Sequence, residues 1–201
     1  MKIAAIVLAA GQSSRFGDGN KLLANVGGVP LIKRVVSALS DSPVCDIILV
    51  TENGAGAGDI IKAAGDGRWR HLQNGRAADG MASSLIIGLD AVADDTDGAL
   101  VALADMPYVS PALIETLCAA FTMCRGKAIV FPQRENGLQG HPVIWPRSFF
   151  SALQKLTGDQ GGKSVLAAHR EHCHPIPYSD DSAYFDVDTA DDLSRARKLD
   201  D

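Results

Sequence analysis

The chain has 201 residues, 46% of them hydrophobic and 21% charged, with a formal net charge of −5 at pH 7. That is enough for one α/β domain over residues 1–201 that buries roughly 70% of its unfolded surface, and the mild acidity, with no basic block or stripe, excludes binding to a nucleic-acid backbone. No apolar run reaches the ~18 residues of a membrane span, only Lys2 precedes a short apolar run without a signal-peptide cleavage region, and Cys45, Cys118, Cys124 and Cys173 show neither C-x-x-C spacing nor a secreted framework. A cytoplasmic protein with reduced thiols is expected.

Ile3 to Leu8 is a continuous apolar run, which suits a central parallel strand covered on both faces. It empties into Ala9-Ala10-Gly11-Gln12-Ser13-Ser14-Arg15-Phe16-Gly17 and closes on Lys21-Leu22-Leu23. Gly11 can take positive φ and, lacking a Cβ, lets main-chain N–H groups close on an anion. Ser13 and Ser14 add hydroxyl donors, and Arg15 and Lys21 bring two cations to the same mouth. A triphosphate fits such a surface; the alternative is an ordinary strand-to-loop turn with solvated cations. The loop is not a P-loop, because Gly11 and Gly17 are six apart with Asp18 next. Nor is it a dinucleotide fingerprint, because Ser13 stands where the second glycine belongs.

Pro30 is expected as the first residue of a helix whose Leu31, Val35, Val36 and Leu39 share one face. Cys45 to Thr51 reads as a second buried strand, followed by a Gly-Ala-rich rim from Gly54 to Gly58 and a short helix through Ile60 and Ile61. Trp69 to Leu72 is a third, short strand. A second long loop, Asn74 to Gly80, precedes a helix with Met81, Leu85, Leu89 and Val92 in register. Ser83 and Ser84 lie in its first turn, where free N–H groups and hydroxyls can meet an anion or a nucleotide. Ala99 to Ala104 is a fourth strand, ended by Asp105-Met106-Pro107, and Ser110-Pro111 opens a helix through Leu113, Leu117 and Phe121. Ala128 to Phe131 and Gly140 to Trp145 follow as strands, with Arg147 to Leu156 helical. A third glycine-rich loop, Gly158-Asp159-Gln160-Gly161-Gly162-Lys163, leads to a helix at Val165 to His169. A last strand pair, near Ile176 and over Tyr184 to Val187, leads to Asp188-Thr189 and a terminal helix. The alternation predicts a three-layer α/β/α architecture with a mainly parallel, Rossmann-like sheet. Right-handed crossovers then gather the loops after Leu8, Val50, Leu72 and Ala104 at one crevice.

Asp105, directly beyond a buried strand, is placed to hold Mg²⁺, a hard ion bound through one or two carboxylates with phosphate oxygens and water. Its alternative is a turn former before Pro107. Asp188 is the natural second ligand and shares a face with Asp186 by strand alternation. Helix capping by Thr189 with Asp191 and Asp192 accounts for the same acids without a metal. His141, restrained between Gly140 and Pro142, either faces a second substrate or is a plain turn histidine.

LAAGQSSRFG followed by NKLL resembles the signature of the MobA-like nucleotidyltransferases. ADMPYV, DVDT, GHPV, PRSFFSALQKL and GDQGGKSVL extend the likeness over nearly the whole chain in the right order, nearest to the molybdenum cofactor cytidylyltransferase branch. The resemblance implies a sheet of the nucleotide-diphospho-sugar transferase type. It also implies Mg²⁺-dependent transfer of CMP from CTP to the phosphate of molybdenum-loaded molybdopterin, giving the cytosine dinucleotide cofactor and pyrophosphate. Lys21, Arg15 and Asp105 would be catalytic, with Mg²⁺ on Asp105 and Asp188. Nucleotide contacts would come from Leu8, Ala9, Ala10, Gly11, Ser13, Ser14, Arg15, Lys21, Gly80, Ser83 and Ser84, and acceptor contacts from His141, Gly158, Asp159 and Lys163. LAAG in place of LAGG favours CTP over GTP. Lys163 stands where the family often has Arg, Gly162 where it often has Ala, and Ala190 where it often has Pro; these departures bear on the acceptor. A recipient molybdoenzyme is a further implied partner. The competing readings are a guanylyltransferase or a sugar-phosphate nucleotidyltransferase, a non-catalytic molybdenum-cofactor delivery module, and an NAD(P)-dependent oxidoreductase. The missing G-x-G-x-x-G and the acidic pair count against the last.

Overall fold

The computed structural model describes residues 1–11, 16, 19–180 and 184–200. In chain order the described elements begin with β1 (Ile3–Ala9), a hairpin of β2 (Asn25–Val26) and β3 (Val29–Pro30), and α1 (Leu31–Ser40). They continue with β4 (Asp46–Glu52), α2 (Ala55–Ala64), β5 (Arg70–Asn74), α3 (Met81–Asp90), β6 (Gly98–Leu103) and α4 (Pro111–Met123). The C-terminal part holds β7 (Ile129–Gln133), β8 (Val143–Pro146), α5 (Phe150–Leu153), α6 (Lys163–Ala168), β9 (Cys173–Pro177) and α7 (Ala190–Asp200).

The main sheet has seven strands in the order β5-β4-β1-β6-β8-β7-β9. β1 is an interior strand, parallel to β4 on one side and to β6 on the other. Its unbroken apolar run is explained by the two faces it must satisfy. Ile3, Ala5, Val7 and Ala9 point into a core shared with Val35 and Leu39 of α1, Ile60 of α2 and Leu113, Leu117 and Phe121 of α4. Ala4 and Ile6 point into a second core with Leu85 and Leu89 of α3, Leu153 of α5 and Leu166 of α6. Helices therefore cover both faces, and the predicted three layers are present. The approach of α3 to the sheet is tight enough that a Cβ on Gly88 would lie 2.4 Å from the Ile6 side chain. β8 runs opposite to its neighbours β6 and β7. The remaining pairs of the sheet are parallel.

Ser110 caps α4 as expected, accepting from the Leu113 N–H at 3.2 Å with Pro111 at the first helical position. Pro30 instead serves as the cap of α1, because it is already engaged as the end of the small hairpin. That hairpin has no sequence signature, since two-residue strands are too short to show a period. Ile176 lies in β9, but Tyr184 to Val187 form no strand. Val187 is buried with Val26, Leu31, Leu193 and Ala196 in a third, smaller core. Its N–H donates to the Asp105 carbonyl at 3.0 Å, which fixes the segment without a ladder. Among the described residues no helix is long and apolar enough to cross a membrane.

Candidate active site

β1 and β6 end side by side, Leu8 opposite Leu103, and their carboxyl ends open on a cavity of about 450 Å³. One wall comes from the loop after β1 (Leu8, Ala9, Ala10, Gly11 and Lys21), one from the loop before α3 (Ala77, Ala78, Gly80, Met81 and Ser84), and the floor from Leu103, Asp105 and Asp188. This is the strand-end crevice expected of an open α/β sheet.

Lys21 starts a single 3-10 turn, Lys21–Leu23, stabilised by the Leu22 N–H donating to the Asn20 side chain at 3.0 Å. Leu22 goes into the core, and Lys21 is carried with it to 8% exposure. Its ammonium donates to Asp105 Oδ2 and to Asp188 Oδ1, both at 2.6 Å. Asp105 sits at the turn beyond β6, and the Val187-to-Asp105 backbone bond is what brings Asp188 from the far end of the chain to the same point. The capping expected at this end of the chain also exists, and it is made by Thr189 and Asp192 without the Asp188 carboxylate. The Asp192 carboxylate accepts from the Thr189 N–H at 3.0 Å and from its hydroxyl at 2.7 Å, and the Asp192 N–H donates back to Thr189 Oγ1 at 3.1 Å. Thr189 and Asp192 hold the start of α7, and the Asp188 carboxylate faces the cavity.

The electrostatics follow from burial. Desolvation alone would lower the Lys21 pKa, but the charges and hydrogen bonds of Asp105 and Asp188 outweigh it and hold the ammonium above its ordinary range. Asp186, partly buried behind the pair, is pushed up by desolvation and then by the charges of Asp188 and Asp105. It does not line the cavity, so sharing a face with Asp188 does not bring it to the site, whereas the expected pair, Asp105 and Asp188, meets there on Lys21. Asp105 Oδ1 is buried and has no hydrogen-bond partner among the described residues. A buried carboxylate oxygen with spare lone pairs suits a hard cation. The described residues contain no group of three or more His, Cys, Asp or Glu side chains arranged to hold a metal. At this point the described residues thus offer two carboxylates, the number with which Mg²⁺ is held when phosphate oxygens and water complete its shell.

The second wall is ordered by Asn74, which is buried. Its side-chain amide donates to Ser83 Oγ and Ser84 Oγ, each at 2.8 Å, and its carbonyl accepts from the Arg76 N–H at 2.8 Å. Ser84 reaches the cavity. Ser83 does not, because its hydroxyl is engaged with the Arg76 and Gly80 carbonyls at 2.9 and 2.8 Å. The glycine-rich third loop closes on this wall: Ala82 N–H donates to the Gly158 carbonyl at 3.0 Å, and Asp159 Oδ1 lies 3.4 Å from the Met81 N–H.

Leu8, Met81, Leu103 and Asp159 are shared with a second chamber of about 240 Å³. Its walls are Leu85, Val101, Val143 and Trp145, and its polar groups include Gln139, His141 and Lys163. His141 Nδ1 is buried without a partner among the described residues. Burial lowers the His141 pKa and the Lys163 cation acts in the same direction, against the Val101 backbone and the Asp105 charge, so the imidazole is neutral at pH 7. Gly158 lines neither chamber and instead supports Gly80. Gly11 lines the first chamber but is not in the left-handed region, so the positive φ expected of it is not found. Ser13, Ser14 and Arg15 lie outside the described residues. Asn74, Gln139 and Trp145 were not singled out by sequence, although a polar amide after a strand, Asn74, must find partners wherever it is buried.

The pattern of the MobA-like NTP transferase domain matches residues 5–173. Among curated relatives, the nicotine blue oxidoreductase of Paenarthrobacter nicotinovorans is 26% identical over 96% of this chain and 95% of its own length. The probable molybdenum cofactor guanylyltransferase of Natronomonas pharaonis is 27% identical over 96% of each. The 2-C-methyl-D-erythritol 4-phosphate cytidylyltransferase of Thermobifida fusca is 30% identical over 80% of this chain and 68% of its own length. Solved structures that share the fold include the following two. One is a nucleotidyl transferase from Methanothermobacter, with a TM-score of 0.83 and 22% identity over 99% of this chain and 97% of that one. The other is a Mycobacterium tuberculosis protein in complex with manganese, with a TM-score of 0.77 and 24% identity over 98% and 99%.

Proposed function

This chain belongs to the MobA-like NTP transferase family, and on that premise we propose that residues 1–201 act as one domain transferring CMP from CTP to the phosphate of a molybdopterin-type acceptor. An acceptor phosphate oxygen attacks the α-phosphorus, the bond to the β-phosphate oxygen breaks, and pyrophosphate leaves. The observation that carries the proposal is the convergence of Lys21, Asp105 and Asp188 at 2.6 Å contacts on the floor of the strand-end cavity.

Two polyanions must meet for this reaction, so the site has to neutralise charge and align attacker with leaving group. Asp105 and Asp188 would hold a divalent cation, with Mg²⁺ as the expected ion. That ion, when bound, supplies charge neutralisation on the α and leaving oxygens. Lys21 donates hydrogen bonds to the phosphates and to the charge that develops on them. Arg15 and the hydroxyls of Ser13 and Ser14 are assigned to the β and γ phosphates, and Ala9, Ala10, Gly11, Gly80 and Ser84 to the rest of the nucleotide. The second chamber takes the acceptor: Trp145, Leu8 and Met81 provide apolar surface for a flat heterocycle, Lys163 meets its phosphate, and neutral His141 and Gln139 offer donor and acceptor atoms to its ring edge. The product would pass to a recipient molybdoenzyme in the cytoplasm.

The choice of base rests on Leu8-Ala9-Ala10-Gly11. The named relatives include both a guanylyl and a cytidylyl transferase. Pyrophosphate release measured with CTP, GTP, ATP and UTP in the presence of molybdopterin and Mg²⁺ tests the proposal, with turnover expected for CTP. Turnover confined to GTP would make the protein a guanylyltransferase, and tight NAD(P) binding without metal and without pyrophosphate release would move it to the oxidoreductase reading.

A further inference from the structure

We infer that Lys21 is the resident cation of the carboxylate pair, so that a divalent ion enters only in exchange for it and arrives with the triphosphate rather than ahead of it. The inference rests on the nucleotidyltransferase reading for the identity of the incoming anion. It goes beyond that reading in assigning Lys21 two alternative partners.

Lys21 Nζ lies 2.6 Å from Asp105 Oδ2 and 2.6 Å from Asp188 Oδ1, so one ammonium spans both acids. A divalent ion held by those oxygens would need the space between them that the ammonium fills, and two cations so close repel. The lysine side chain is only 10% exposed, so it is held within the floor rather than free to yield to solvent. The two acids provide too few ligands to hold a divalent ion by themselves, and the described residues supply no third carboxylate, histidine or thiol at that point. A free ion would therefore have to displace a well-paired ammonium in return for only two protein ligands, with water in the rest of its shell.

The triphosphate changes both sides of the exchange. Its oxygens complete the coordination of the ion, and they give the displaced ammonium a new set of acceptors in the same cavity, which Lys21 lines together with Asp105 and Asp188. Departure of Lys21 frees Asp105 Oδ2 beside the buried Oδ1, which has no partner among the described residues, so the whole carboxylate is left for the ion. The site is thus closed by its own cation at rest and opens when metal and nucleotide come together, which keeps the acids paired between turnovers.

Calorimetric titration of free Mn²⁺, with no nucleotide present, tests the exchange in the unaltered protein, in Lys21→Gln and Lys21→Met, and in Asp105→Asn. The two Lys21 variants, checked for retained fold by circular dichroism, are expected to bind Mn²⁺ at least tenfold more tightly than the unaltered protein, and Asp105→Asn to show no such site. Equal or weaker binding by folded Lys21 variants overturns the inference. A second measurement needs no variant: crystals of the unaltered protein soaked in millimolar Mn²⁺ should show no anomalous peak between Asp105 and Asp188. Crystals soaked with Mn²⁺ and CTP should show the peak with Lys21 turned onto phosphate. A manganese peak beside an unmoved Lys21 overturns the inference even if CTP turnover is intact, whereas absence of turnover with every triphosphate strikes at the proposed activity instead.

Discussion

Gly80 and Gly158 meet back to back, so closely that a Cβ on Gly80 would lie 2.3 Å from the Gly158 carbonyl carbon. Gly80 also has φ +97° and ψ 177°, a region open essentially to glycine. Gly80→Ala is therefore expected to cost roughly 2 kcal/mol or more, from backbone strain and from the forced separation of the two loops. Urea denaturation reads the stability, and steady-state kinetics should show KM raised for both substrates, because Met81 and Asp159, which follow the two glycines, line both chambers. An unchanged midpoint and unchanged kinetics would show that the contact is not needed.

Asp105 bears on turnover more than on folding. Asp105→Asn keeps the shape but removes the charge that faces Lys21 and the proposed ion, and it is expected to lower kcat by about 10²–10³. Chelation by EDTA should abolish pyrophosphate release, and added Mg²⁺ should restore it in the unaltered protein. Activity surviving EDTA would exclude the metal-assisted route.

Lys163 lines the second chamber and not the first. Lys163→Ala should raise the acceptor KM about tenfold, the equivalent of ~1.4 kcal/mol, while the CTP KM stays the same. Lys163→Arg should keep the charge and most of the affinity. An effect on the CTP KM instead would move Lys163 to the nucleotide side.

His141 gives a pH signature. Burial lowers its folded pKa below the ordinary 6.5, so the unfolded chain binds the proton first as pH falls. Stability is then lost from about pH 6.5 downward until the folded pKa is reached, at up to about 1.4 kcal/mol per pH unit. Denaturation at pH 7.5 and 5.5 should show this loss in the unaltered protein, and His141→Gln should lose less over the same interval. Equal losses would assign the acid sensitivity to other groups.

Much of this architecture is legible in the chain. β1 shows itself because both its faces are buried, and Ser110-Pro111 shows itself because a cap and a first-turn proline act locally. Asp105 is legible because it follows a buried strand directly. The meeting of Asp188 with Asp105 and Lys21 is expected from the ADMPYV and DVDT motifs, but not how it is achieved, which depends on one backbone bond from Val187 to Asp105 between segments far apart in sequence. The expectation of a strand over Tyr184 to Val187 has the same origin: alternating residues look like a strand, but Val187 is fixed by a small core and a single hydrogen bond. Asn74 and Trp145 are silent in sequence because their importance lies in what is packed around them. A Cβ on Gly162 would lie 2.3 Å from the Trp145 ring, a relation no spacing rule reveals.

The reversed direction of β8 has a consequence for how such a molecule can be altered. Because Val143 pairs with Val101 near the exit of β6, the residues leading into β8 are delivered to the same rim as the residues leaving β1. Gln139 and His141 therefore stand beside Leu103 on the floor of the first cavity while belonging to a separate stretch of chain, joined to it by sheet pairing rather than by shared loops. Grafting residues 134–165 from a relative with a different acceptor should exchange what receives the nucleotide and leave which nucleotide is donated untouched.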